Sequence, residues 1–117
     1  MTESADHIVQ LDQFRYHHAL EETPGCSLVF FTGPHCGACK VLRRVLAGLA
    51  ADMDLSVFEV DAERDLALAR EFAVFHLPSM FLYVDGEYHC ELQAEARGPA
   101  IAAAIEAALA RPAEEAP

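Results

Sequence analysis

The sequence predicts an α/β domain, a central mixed sheet of four to five strands flanked by helices. Three observations carry this. Apolar runs rich in β-formers alternate with helix-period stretches through the first two thirds of the chain, which implies parallel strands joined by right-handed crossovers. An Asp85-Gly86 pair between two strand patterns then marks a hairpin, and with it an antiparallel edge. A last helical stripe closes the chain after that hairpin.

Taken in order, residues 7–10 form a short strand, and Asp12 is the N-cap of a helix reaching about Glu22, stopped at Thr23-Pro24-Gly25. Phe14, Tyr16 and Leu20 of this helix read as core. Residues 26–32, Cys-Ser-Leu-Val-Phe-Phe-Thr, are continuously apolar, as in a central strand covered on both faces. Gly33-Pro34 turns the chain into a helix from Cys36 to about Asp52, with Leu42, Val45, Leu46 and Leu49 on one stripe. A strand over residues 55–60 and a helix over 63–73 follow, the latter with Leu66, Ala69 and Ala73 on one side. Residues 79–84 make a second buried strand. The strand after the hairpin alternates, Tyr88, Cys90 and Leu92 on one face and Glu87, His89 and Glu91 on the other, as a half-exposed edge does. Gly98-Pro99 opens the last helix, striped by Ile101, Ala104, Ile105 and Ala108. Pro112 ends it before an acidic tail, about 112–117, expected to fray.

The chemistry concentrates in Cys36-Gly37-Ala38-Cys39, at the junction of the second strand and its helix. With Cys36 as N-cap, the amides of Ala38 and Cys39 face its sulfur and the helix dipole favours negative charge there. A thiolate is stabilised in such a place, so Cys36 is the expected nucleophile. Cys39, one turn in, keeps its proton longer and is the expected resolving thiol. Lys40 adds a nearby positive charge, and Gly37 leaves room for a partner's backbone.

The 117 residues are expected to form one domain, 1–117, and a 53% hydrophobic composition suffices for its core. A formal charge of −11 argues against nucleic acid and anionic membrane as partners. The N-terminus lacks the basic, then apolar, then small-residue order of a secretory signal, and no stretch has the roughly 20 apolar residues of a membrane span. The chain is therefore read as cytoplasmic. Four cysteines there are too few for a disulfide scaffold, and Cys26 and Cys90, outside the C-x-x-C, read as small core residues, with regulatory oxidation or dimer formation as the other reading. A zinc site using Cys36, Cys39 and His35 or His76 would need a further close cluster of ligands that the sequence does not contain.

The element order and the placement of the C-x-x-C resemble the thioredoxin family over nearly the whole chain. Three anchors carry the resemblance: Phe30 through Lys40 around the cysteines, Leu77-Pro78-Ser79 ahead of a strand, and Asp85-Gly86-Glu87 in the hairpin. The resemblance implies a thioredoxin-like fold and thiol–disulfide exchange with protein substrates, with no bound cofactor and with electrons from a partner reductase or small thiols. It also makes Pro78 the family's cis-proline, which with Leu77 shapes the substrate groove beside the disulfide.

Three departures from the family pattern stand out. Ala38 lies where proline is most frequent and restores an amide N–H. His35 lies where tryptophan is common; as an imidazolium it would help hold a thiolate on Cys36, and otherwise it is an ordinary exposed histidine. Phe30 occupies the position of the family's buried aspartate, which assists proton transfer at the second cysteine. Glu59, on the next strand, either replaces that carboxylate from across the sheet or is a solvated strand residue. Two functions follow: an exchange enzyme, or a thioredoxin-like binding or assembly module that turns over little.

Overall fold

A computed structural model describes residues 8–117. Five strands form one sheet in the order β1-β3-β2-β4-β5: β1 (Ile8–Leu11), β2 (Cys26–Thr32), β3 (Leu55–Asp61), β4 (Ser79–Val84) and β5 (Glu87–Leu92). β1, β3 and β2 run parallel, whereas β2–β4 and β4–β5 are antiparallel. The helices are α1 (Tyr16–Glu21), α2 (Gly37–Asp52), α3 (Leu66–Glu71) and α4 (Gly98–Leu109). The mixed sheet and the crossover-then-hairpin order are those expected. Among the described residues no helix is long and apolar enough to cross a membrane.

The continuous apolar character of β2 has its reason in the topology. β2 is the middle strand, and its alternate residues feed two cores. Leu28 and Phe30 join Leu42, Leu46 and Leu49 of α2 and Ile101, Ile105 and Ala108 of α4. Val29 and Phe31 join Tyr16 and Leu20 of α1, Leu68 and Ala69 of α3, and Phe72 just beyond it. Within this second layer the Tyr16 and Tyr83 hydroxyls pair at 2.8 Å, which satisfies two buried polar atoms at once.

Several boundaries differ from expectation, each for a local reason. β1 is Ile8–Leu11, and His7, expected to open it, lies outside the described residues. Asp12 accepts from the amides of Phe14 and Arg15 at 3.0 Å, closing a turn first, so α1 starts only at Tyr16. That turn leaves Phe14 84% exposed, not in the core. Asp61 does the same for the amides of Glu63 and Arg64 and delays α3 to Leu66. The buried side of α3 is consequently Leu68 and Ala69, with Leu66 half-exposed, and the chain leaves the helix through Ala73 at φ 53°.

The hairpin forms as Asp85-Gly86 predicts, with φ of 51° and 83°. A Cβ on Gly86 would stand 2.9 Å from the backbone of Glu21, so the turn presses against the end of α1. β5, however, does not alternate. Its register jumps between Leu82↔Cys90 and Tyr83↔Tyr88, making His89 the extra residue of a β-bulge. Tyr88 therefore packs with the second core and Cys90 and Leu92 with the first. His89, expected on the exposed face, is buried, and its Nε2 lies 2.7 Å from the Ala108 carbonyl near the end of α4. The terminal segment expected to fray has a backbone anchor here: the Glu114 amide donates to the His89 carbonyl at 2.7 Å.

Candidate active site: a disulfide facing a cis-proline

Register builds the site. Because β4 runs antiparallel to β2 with Phe31 opposite Ser79, the residues just before β4 lie beside those just after β2. Those neighbours are Leu77-Pro78 and the C-x-x-C. The Leu77–Pro78 peptide is cis. The loops approach closely: a Cβ on Gly33 would stand 2.9 Å from Leu77 Cδ1, so glycine there permits the contact.

Cys36 is the N-cap of α2, in extended conformation (φ −99°, ψ 101°), and its Sγ accepts from the Cys39 amide at 3.1 Å. Of the two amides expected to face the sulfur, this is the described donor. Cys36 and Cys39 are joined in a disulfide, with Cα atoms 5.2 Å apart. The two sulfurs are not equivalent. Cys39 is buried and Cys36 half-buried, so an incoming group reaches Cys36 first. When the bond is reduced, the helix N-terminus favours the thiolate on the same residue.

Two cavities flank the pair. One, about 400 Å³, is lined by Ala38, Leu42, His76, Pro78, Met80 and Leu92, among others, which brings together Ala38 and Pro78, both expected to shape a substrate surface. It also takes in Gln93, Ala94 and Ala96 of the β5–α4 loop, which sequence reasoning did not single out. The other, about 210 Å³, lies on the Lys40 side and is lined by Thr32, Cys36, Cys39, Lys40, Arg43 and Glu59. His35 and Gly37 are exposed at the rim, and nothing stands within 4 Å of a Cβ placed on Gly37.

Phe30 is fully buried in the first core, so no carboxylate comes from that position. Glu59 is its register partner on β3 and is itself buried, 9% exposed, which excludes the solvated-strand reading. Its carboxylate accepts from Gln10 Nε2 at 2.7 Å and Thr32 Oγ1 at 2.8 Å, and it pairs with the Arg43 guanidinium. Arg43 was not foreseen as a site residue. The available signal was an arginine adjoining the buried stripe of α2, four residues after Cys39.

Cys26 and Cys90 lie apart from the site, both free and both packed in or against the first core. Burial pushes both thiols up, with neighbouring carboxylates adding to it (Asp85 and Asp54 at Cys26, Glu114 at Cys90), so they are poor nucleophiles at neutral pH.

A parallel-then-antiparallel sheet that presents a helix-capping C-x-x-C to a cis-proline is the architecture of the thioredoxin-like proteins. The chain belongs to the thioredoxin family, whose model, described as Thioredoxin, matches residues 7–109. Among similar proteins, a thioredoxin of Staphylococcus saprophyticus is 34% identical over 65 residues, covering 54% of this chain and 62% of that one. A thioredoxin of Mycolicibacterium smegmatis is 36% identical over 63 residues, covering 50% and 56%. A protein disulfide isomerase-like 1-3 of Arabidopsis thaliana is 33% identical over 63 residues, covering 52% of this chain and 11% of that protein. These matches thus span less than two thirds of each relative's length. In fold, the chain is similar to the zinc-bound form of human ERp44, with a TM-score of 0.72 at 15% identity, covering 88% of this chain and 30% of that one.

Proposed function

We propose that this chain is a thiol–disulfide oxidoreductase that exchanges disulfides with protein substrates. The observation that carries the reading is the position of Cys36: N-cap of α2, half-exposed, bonded to a buried Cys39, in a C-x-x-C whose Ala38 shares a cavity with the cis Pro78. In the reducing direction the Cys36 thiolate attacks a substrate disulfide, forming a mixed disulfide and releasing one substrate thiolate. Cys39 then attacks Cys36 Sγ, which forms the Cys36–Cys39 bond and releases the second thiolate. Two electrons pass to the substrate, carried by the cysteines themselves, so the cycle uses no bound cofactor. A partner reductase or a small thiol restores the dithiol.

In this reading Pro78, Leu77, Gly37 and Ala38 shape the surface on which the substrate backbone lies, Lys40 supplies a positive charge near the thiolate, and the exposed His35 borders it. Glu59 handles the proton of Cys39. The free thiols of Cys26 and Cys90 suit a reducing compartment, in keeping with a cytoplasmic place of work. The second reading, a binding or assembly module with little turnover, draws on one observation, the burial of Phe30 where the family has its aspartate.

A redox titration separates the two. The protein is equilibrated across a graded thiol buffer, free thiols are trapped, and those on Cys36 and Cys39 are counted by mass. Exchange requires a reversible two-electron midpoint, near about −270 mV for a reductant or toward about −120 mV for an oxidant. A pair that does not titrate reversibly favours the module.

A further inference from the structure

Behind the disulfide a polar cluster interrupts an apolar layer. Gln10 and Phe30 flank Glu59 in register on β1 and β2, and above them lies α2 with Arg43. Three elements send donors to one carboxylate: Gln10 and Thr32 from the sheet, Arg43 from the helix. A buried carboxylate remains ionised only where such partners replace water. The same carboxylate lines the cavity that Cys36 and Cys39 line. The remaining titratable groups among the described residues of that cavity are Lys40 and Arg43, both cationic, while Gln10 and Thr32 are neutral. Among the described residues of this cluster, Glu59 is therefore the group that can take a proton from Cys39.

We propose that Arg43 is a positioning residue for the resolving step, holding the Glu59 carboxylate at the cavity it shares with Cys39 so that β3 supplies the base for which β2 carries Phe30. This rests on the exchange reading. In the step, the Cys39 S–H proton moves to the Glu59 carboxylate, directly or through solvent in the cavity. The Cys39 sulfur attacks Cys36 Sγ, the Cys36–substrate bond breaks, and the substrate thiolate leaves with the electron pair. Glu59 then returns the proton to that thiolate or to solvent. Without Arg43 the described donors left to the carboxylate are Gln10 and Thr32 of the sheet, and nothing from α2 fixes it at the cavity.

The test uses the reduced full chain and a substoichiometric aromatic disulfide, 5,5′-dithiobis(2-nitrobenzoate), followed by stopped-flow absorbance. The first released thiolate reports Cys36 attack and the second reports resolution by Cys39, so the ratio of the two rates isolates the second. Arg43→Met and Glu59→Gln are expected to lower that ratio roughly tenfold or more at pH 7. Arg43→Lys, which keeps the charge, recovers part of the rate that Arg43→Met loses. Should Arg43→Met not fold, the nearly isosteric Glu59→Gln and the charge-keeping Arg43→Lys carry the test. A ratio equal to wild type in these variants overturns the role of Arg43. A wild-type protein that releases no second thiolate overturns the exchange reading itself, and this inference with it.

Discussion

At the scale of single residues, the difference between Cys36 and Cys39 arises from one turn of helix. The first has a helix N-terminus behind it and solvent in front, the second is covered, and both conditions follow from where α2 begins. Ala38 tests how far the backbone controls the pair. Because proline would remove an amide N–H from the first turn of α2, Ala38→Pro is expected to make the midpoint more negative; an unchanged or higher midpoint would show that the Cys39 amide suffices. Cys36, Cys39, Pro78 and Glu59 could be named from the sequence because spacing or the family pattern marks them. Arg43 and Thr32 could not, since their importance lies in meeting one carboxylate from separate elements, and such contacts leave no local signature.

At the scale of elements, β2, α2 and the Asp85-Gly86 turn were legible because hydrophobic period and turn chemistry agree there. α1 and α3 were read too long for a shared reason. Asp12 and Asp61 each use their carboxylates to close a turn before the helix, a choice that residue type alone does not reveal. β5 shows the opposite failure: a clean alternation was visible, and one inserted residue at His89 reversed the facing of Tyr88 relative to Cys90. The bulge makes His89 a tie between sheet and helix. His89→Leu removes one of the donors to the Ala108 carbonyl, which also accepts from the Arg111 amide at 3.1 Å, and should lower the unfolding free energy by about 0.5–1.5 kcal/mol in urea titrations. A loss below about 0.5 kcal/mol would mean that the Arg111 amide satisfies the carbonyl by itself.

At the scale of the whole molecule, the sheet order was not readable from element order alone. Placing β2 in the middle depends on which strands pair, and pairing is a property of the finished tertiary structure. That placement carries the disulfide at the end of the strand with support on both sides. The short span of the bridge, three residues apart in sequence, links folding to electrochemistry through a thermodynamic cycle. Any difference in unfolding free energy between the bridged and reduced chains must equal the difference in bridge stability between their native and denatured states. Closing so small a ring favours the bridged chain by about 2 kcal/mol, and a native thiolate held by the helix end pulls the other way. Urea curves on the two forms therefore reveal the direction of biological use without an electrode. A reduced chain more stable than the bridged one is expected of an electron acceptor, and the reverse order of an electron donor, with 1.4 kcal/mol between them equivalent to about 30 mV.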